Sequence, residues 1–177
     1  MPAKISRRLV IDASIAHASG GEEATFPTSK NCRDFLIAVR AIGHRAVMTF
    51  AITAEWNNHQ SHFARRWRRS MEARKQTMRV SVPADSKLRE KIKRIAASDV
   101  AREAMLKDLH LVEAAQATDQ TVASLDENVR SLFVSASRSA GELKSIVWVN
   151  PDKTKEQVLA WLKNGAKPEK KRTLGLQ

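Results

Sequence analysis

Apolar residues fall in short blocks along this chain, and the spacing inside each block separates strands from helices. Leu9, Val10 and Ile11 form a tight run closed by Asp12, the pattern of a short buried strand. Residues 45–49 read as a second strand, and residues 121–125, closed by Asp126, as a third. A fourth, Ser145-Ile146-Val147-Trp148-Val149, is stopped by Asn150-Pro151. Between these blocks the period lengthens. Phe35, Leu36, Val39 and Ile42 recur at helical spacing over residues 32–42, with Ser29 or Asn31 as cap and Gly43 as stop. Residues 51–76 contain neither Gly nor Pro and predict one long helix or a bent pair, with Ile52, Trp56, Phe63, Trp67 and Met71 as an inner stripe. Beyond Pro83, Asp85 or Ser86 caps a helix over 87–97. Ser98-Asp99 starts another that runs to Ala117, with a break expected near Asp108. A helix over 129–136 ends before Gly141, and Val158, Leu159, Trp161 and Leu162 line a last one that Gly165 terminates. Residues 18–29, rich in turn formers, predict a loop.

Strands alternating with helices predict an α/β fold, a three-layer α/β/α sandwich around a central, mostly parallel sheet. One domain is expected over residues 1–165. The remainder, 166–177, opens with Lys167-Pro168-Glu169-Lys170-Lys171-Arg172 and reads as a basic, disordered tail.

Charge narrows the class of partner. Thirty-one Lys and Arg against nineteen Asp and Glu give a net +12 and a pI near 10.3 in 177 residues. Such a balance favours a polyanion, nucleic acid ahead of an anionic membrane surface. Cys32 is the only cysteine, so neither an intrachain disulfide nor a cysteine-based zinc cluster can form, which suits a reducing cytoplasm. The cations Lys4, Arg7 and Arg8 precede an apolar run too short for a signal peptide, and no run of about 18 apolar residues follows. A cytoplasmic protein with no membrane partner is the expectation.

Against this basic background the acids Asp12, Glu55, Asp108 and Asp126 stand where apolar runs end or helices begin. In an open α/β sheet, ligands collect beyond the carboxyl ends of the strands, so Asp12 and Asp126 can share one crevice. Their repulsion calls for a cation, and carboxylates favour Mg²⁺ or Mn²⁺. Taken singly, Asp12 or Asp108 is explained as well by helix capping. Asp119, Glu113 and Glu127 are rival acids: Asp119 fits a turn, Glu127 a first helical turn, and Glu113 lies five residues past Asp108, off its face.

With Val10-Ile11-Asp12-Ala13-Ser14, Thr53-Ala54-Glu55-Trp56, Asp108 before Leu111-Val112-Glu113-Ala114-Ala115, and Ser124-Leu125-Asp126, the chain resembles the PIN domain family over about residues 6–150. That family comprises compact metal-dependent nucleases, many of them toxin-type ribonucleases. The resemblance implies that Asp12 is the central ligand, that Glu55, Asp108 and Asp126 complete a catalytic site for one or two Mg²⁺ or Mn²⁺ ions, and that Ser14 and Ser124 hold a ligand or phosphate from the next shell. The implied partners are nucleic acid, RNA before DNA, an antitoxin protein and a second copy of the chain. The Gly20-Gly21 loop, the basic arm and the helical tail depart from the most compact toxins.

From Arg65 to Lys107 there are fourteen Lys or Arg and five Asp or Glu, so the charge is localised. Arg65, Arg66, Arg68 and Arg69 are the expected phosphate contacts. Trp56 and Trp67, interleaved with them, fit the core better than a stacking face for unpaired bases. His59 and His62 read as surface histidines, His17 and His110 as pocket lining, and Cys32 as a small core residue. The competing class is a binding module on the same fold, using the basic face to hold nucleic acid or a protein with feeble or no catalysis.

Overall fold

The four apolar blocks pair as strands, and a fifth joins them. In the computed structural model, which describes residues 5–177, β1 (Arg8–Ile11), β2 (Arg45–Met48), β3 (Thr77–Arg79), β4 (Thr121–Ala123) and β5 (Val147–Val149) form one parallel sheet. Lys4 lies outside the described residues. The order across the sheet is β3-β2-β1-β4-β5, with Val10 paired to Val47 on one side and to Val122 on the other. Leu9, Val10 and Ile11 are wholly buried, as a central strand covered on both faces requires.

The eight α-helices among the described residues are α1 (Ala13–Ala18), α2 (Pro27–Ile42), α3 (Phe50–His59), α4 (His62–Ala73), α5 (Ser86–Ile95), α6 (Asp99–Gln116), α7 (Glu127–Ser137) and α8 (Val158–Lys163). The chain winds outward from β1 to β3, then crosses back past β1 to β4 and β5. Right-handed crossovers place α1 to α4 on one face and α5 to α7 on the other. Packing follows that division, α2 meeting α4 and α8 and α6 meeting α5 and α7, except that α3 also touches α6. The fold is therefore the three-layer α/β/α expected. Its strand order reverses between β1 and β4, the switch point beyond whose carboxyl ends open sheets bind ligands.

The segment over residues 51–76 is the bent pair. Gln60 is extended, and the Ser61 hydroxyl restarts the chain as α4 by accepting the Ala64 N–H. Trp56 and Trp67 lie in the core, stacked at 5.8 Å, and their indole N–H groups donate to the carbonyls of Ile11 and Leu36. Trp56 thus anchors α3 to the last residue of β1, one position before Asp12. β3 carries no apolar block; its three residues are half-buried or exposed at the sheet edge. α2 starts earlier than its periodicity suggests, because Pro27 takes the first helical position, where a missing N–H costs nothing.

Two expectations are corrected. α6 runs unbroken from Asp99 to Gln116 behind a Ser98 cap, so Asp108 lies in mid-helix and opens nothing. The basic tail is folded: after the left-handed Gly165, the chain runs back along β5, with Thr173 bridged to Val147 and Leu174 wholly buried. Arg172 is buried too. It donates to Glu169 and to the Glu156 carbonyl, and its guanidinium lies over Trp161. Arg172→Met keeps the side-chain stem but loses these bonds, and is expected to lower the unfolding free energy by about 1–2 kcal/mol in a urea titration. A solvated tail would give no change.

Candidate active site

Asp12 follows β1 at the switch point and occupies the cap position of α1, yet its carboxylate makes no capping bond. Instead Oδ2 accepts from two hydroxyls, Ser14 at 2.6 Å and Ser124 at 2.8 Å. Each serine is itself held from behind: Ser14 accepts the Leu125 N–H, and Ser124 accepts the Asp126 N–H. Two serines thus tie the exit of β1 to the exit of β4 through one carboxylate oxygen. Oδ1 takes no hydrogen bond among the described residues.

Asp126 caps α7 by accepting the Val129 N–H at 2.9 Å, so the capping role and a place in the pocket coexist. Glu55 reaches in from α3, where its Oε2 lies 3.1 Å from Nε2 of His110 on α6. The other nitrogen of that ring faces the Lys107 carbonyl at 2.9 Å, which fixes the imidazole between the two helical layers. Asp108 comes from α6 too, two residues before His110 and so on a different face of that helix. Together Asp12, Glu55, Asp108 and Asp126 line one cavity of about 280 Å³, with Ser14, His17, His59 and Lys107.

The electrostatics of this cavity are those of crowded like charges. Burial, and then the Asp12 carboxylate, push the Asp108 carboxyl up from 3.8 to about 6; Asp126 adds to the shift, while Lys107 and His110 oppose it. Among the described residues, neither Asp12, Asp108 nor Asp126 forms an ion pair. The rival acids are all committed elsewhere. Glu113 is buried and pairs with Arg89 at 2.8 Å while accepting the Asp85 N–H. Asp119 bonds the side chain and N–H of Arg8, which hold its carboxyl low against the opposing effect of burial. Glu127 is likewise lowered, burial opposing, by Asn150 and Arg130.

Four carboxylates and two hydroxyls make an oxygen donor set, which suits Mg²⁺ or Mn²⁺ and not a softer metal. The geometry is open: among the described residues no group of three or more His, Cys, Asp or Glu is drawn together in a way that could hold a metal ion as it stands. The donors fit a hard cation in kind, but no three of them stand together as a metal site among the described residues.

His17 and His59 meet edge to face at the rim, His17 bonding the His59 carbonyl at 3.0 Å. The place of His59 and Lys107 in the lining went unread in the sequence; Lys107 was signalled only by its neighbour Asp108. Arg65, Arg66 and Arg69 project into solvent from α4, which starts just past His59. Arg68 is half-buried and donates to Asn57, with Nη1 enclosed and without a partner among the described residues. Cys32 is a core residue whose thiol burial pushes up to about 12, far from nucleophilic use. No helix among the described residues is long and apolar enough to cross a membrane.

Comparison of the chain with models of protein families, with characterised proteins and with solved structures finds no match.

Proposed function

We propose that this protein is a divalent-metal-dependent nuclease of the PIN kind, acting on RNA in preference to DNA. The observation that carries the proposal is that Asp12, Glu55, Asp108 and Asp126 line one cavity at the switch point, where burial and the charges of Asp12 and Asp126 raise the Asp108 carboxyl. Acids that only capped helices would have no reason to meet. Asp119, Glu113 and Glu127, the acids paired with arginine, lie outside the group.

When bound, Mg²⁺ or Mn²⁺ supplies charge neutralisation at the phosphate and a water that ionises near neutral pH. The chain's own residues do the positioning. Ser14 and Ser124 hold the Asp12 carboxylate in one orientation through Oδ2 and leave Oδ1 for the cavity. His110 sets Glu55 from the opposite helical layer. Lys107 at the rim, beside four acids, attracts a phosphate that those acids alone would repel.

A toxin role, with an antitoxin as protein partner, is the biological form of this reading that the family resemblance favours. The test of the proposal is hydrolysis of a single-stranded RNA in the presence of Mg²⁺ or Mn²⁺ and its loss in EDTA. The basic arm is tested beside it. Changing Arg65, Arg66, Arg68 and Arg69 together to Gln is expected to reduce the slope of log affinity against log salt, by about 0.7 on single strands for each phosphate that α4 no longer neutralises. An unchanged slope would mean that α4 presents only a solvated face.

A further inference from the structure

Phe50 is the most exposed large apolar residue of the described chain, 91 % accessible at the first position of α3. A single exposed Phe needs no explanation by itself, but this one borders a second cavity of about 300 Å³. That cavity is lined by residues 49–51, by residues 80–82 where the chain leaves β3, and by His110 and Glu113 of α6. It shares no lining residue with the acid pocket, but one hydrogen bond links the two. Ala51 and Glu55 lie one turn apart on the same side of α3, and the His110 that lines the second cavity is the residue that bonds Glu55 in the first.

The cavity's polar groups suit a flat heterocycle. Val80 donates its N–H to the Met48 carbonyl, but neither Ser81 nor Val82 makes a backbone-to-backbone hydrogen bond among the described residues, and the Ser81 hydroxyl has no partner there. Open N–H, C=O and O–H groups beside an aromatic face are what an unpaired base requires. The ring stacks on the side chain while its edge is read by the exposed backbone. Glu113 does not compete, since Arg89 and the Asp85 N–H occupy its carboxylate.

We propose that this hollow is a base-binding subsite, with Phe50 as its stacking face and the backbone of residues 80–82 as its edge reader, for one unpaired nucleotide next to the phosphate held at the acid pocket. The inference rests on the nuclease reading for the identity of that neighbouring phosphate. A paired base cannot offer both a free face and a free edge, so such a subsite would hold single strands and not duplex.

The experiment measures binding of a fluorescein-labelled single-stranded 12-mer RNA and of the same sequence as a duplex, in the Asp12→Asn background so that nothing is cleaved. Phe50→Ala is expected to weaken single-strand binding by about 5- to 150-fold, the range for loss of one base stack. Duplex binding and the salt slope should stay unchanged, and Phe50→Trp should restore the affinity. Equal single-strand affinity in Phe50→Ala, or equal losses for single strand and duplex, would overturn the subsite. So would a shift of the wild type from dimer to monomer on Phe50→Ala in size-exclusion chromatography, which would make Phe50 a contact between copies. Cleavage by the otherwise wild-type chain separates the two readings. Metal-dependent hydrolysis with unaltered Phe50→Ala binding keeps the nuclease and removes the subsite; a selective single-strand defect without hydrolysis keeps the subsite and removes the nuclease.

Discussion

Asp12→Asn is expected to reduce metal-dependent RNA cleavage by about 1,000-fold or more while the folded chain remains as stable as wild type. The first half follows from charge. Asp12 stands where β1 ends, and its carboxylate supplies one of the few negative charges that could offset a divalent cation; losing several kcal/mol of charge stabilisation at about 1.36 kcal/mol per tenfold in rate gives that factor. The second half follows from geometry. An Asn carbonyl still accepts from Ser14 and Ser124, whose hydroxyls now meet at Oδ2, and one of the charges that hold the Asp108 carboxyl up is gone. Ser124→Ala makes the complementary case. It keeps the charge and removes one of the two bonds that orient it, so an intermediate loss of about 10- to 100-fold is expected. Thermal melts beside initial rates check both. Full cleavage by Asp12→Asn, or by wild type in EDTA, would end the metal-nuclease reading.

The parts of this molecule that were legible in the sequence are those where burial is carried by neighbouring residues. β1 reads as Leu9-Val10-Ile11 because both of its faces are covered, and Asp12 and Asp126 announce themselves by ending such runs. β3 was missed for the opposite reason. Thr77 and Met78 are only half-buried, Arg79 is exposed, and nothing in a three-residue edge strand distinguishes it from a loop until β2 pairs with it. The tail misled through its charges: Arg172 is buried only because Glu169, the Glu156 carbonyl and Trp161 come together around it, and Trp161 and Glu156 stand far from it along the chain.

Asp108 carries the subtler lesson. The run Ala101, Met105, Leu109 and Val112 keeps one helical stripe going straight through it, so periodicity outweighed the cap signal, and its value to the site is its height along α6. The same helix sets the spacing of the whole carboxyl edge: Lys107 and Asp108 face the acids, His110 bonds Glu55, and Glu113 turns away to Arg89. Spacing had already set Glu113 off the face of Asp108, five residues on; what it could not supply is the partner, since Arg89 and the Asp85 N–H come from another helix and its cap.

Asp108→Asn should make the metal-free protein more stable at neutral pH, by less than the roughly 3 kcal/mol of the full shift because solvent screens this partly exposed carboxyl. The folded chain holds this carboxyl at about 6 against an ordinary 3.8, and each unit of such a shift corresponds to about 1.36 kcal/mol. The sign is that of a raised acid. The native state binds the proton more tightly than the unfolded one, so the contribution is fully present below pH 3.8, is lost as pH rises through about 6, and is gone at pH 7. Lowering the pH of wild type from 7 to 5 should therefore recover about 1 kcal/mol relative to Asp108→Asn, even as other carboxylates such as Asp119 and Glu127 begin to lose their partners. Mn²⁺ acts on the same repulsion from the other side. A cation that binds only the native state stabilises it by about 2.7 kcal/mol at a hundred times its dissociation constant. Wild type should gain that much at pH 7 and constant ionic strength, and Asp108→Asn and Asp126→Asn much less. Melting curves across pH, with and without Mn²⁺, read all of these at once. Parallel pH profiles for wild type and Asp108→Asn, or the same Mn²⁺ shift in all three proteins, would mean that the four acids share a cavity without sharing an ion.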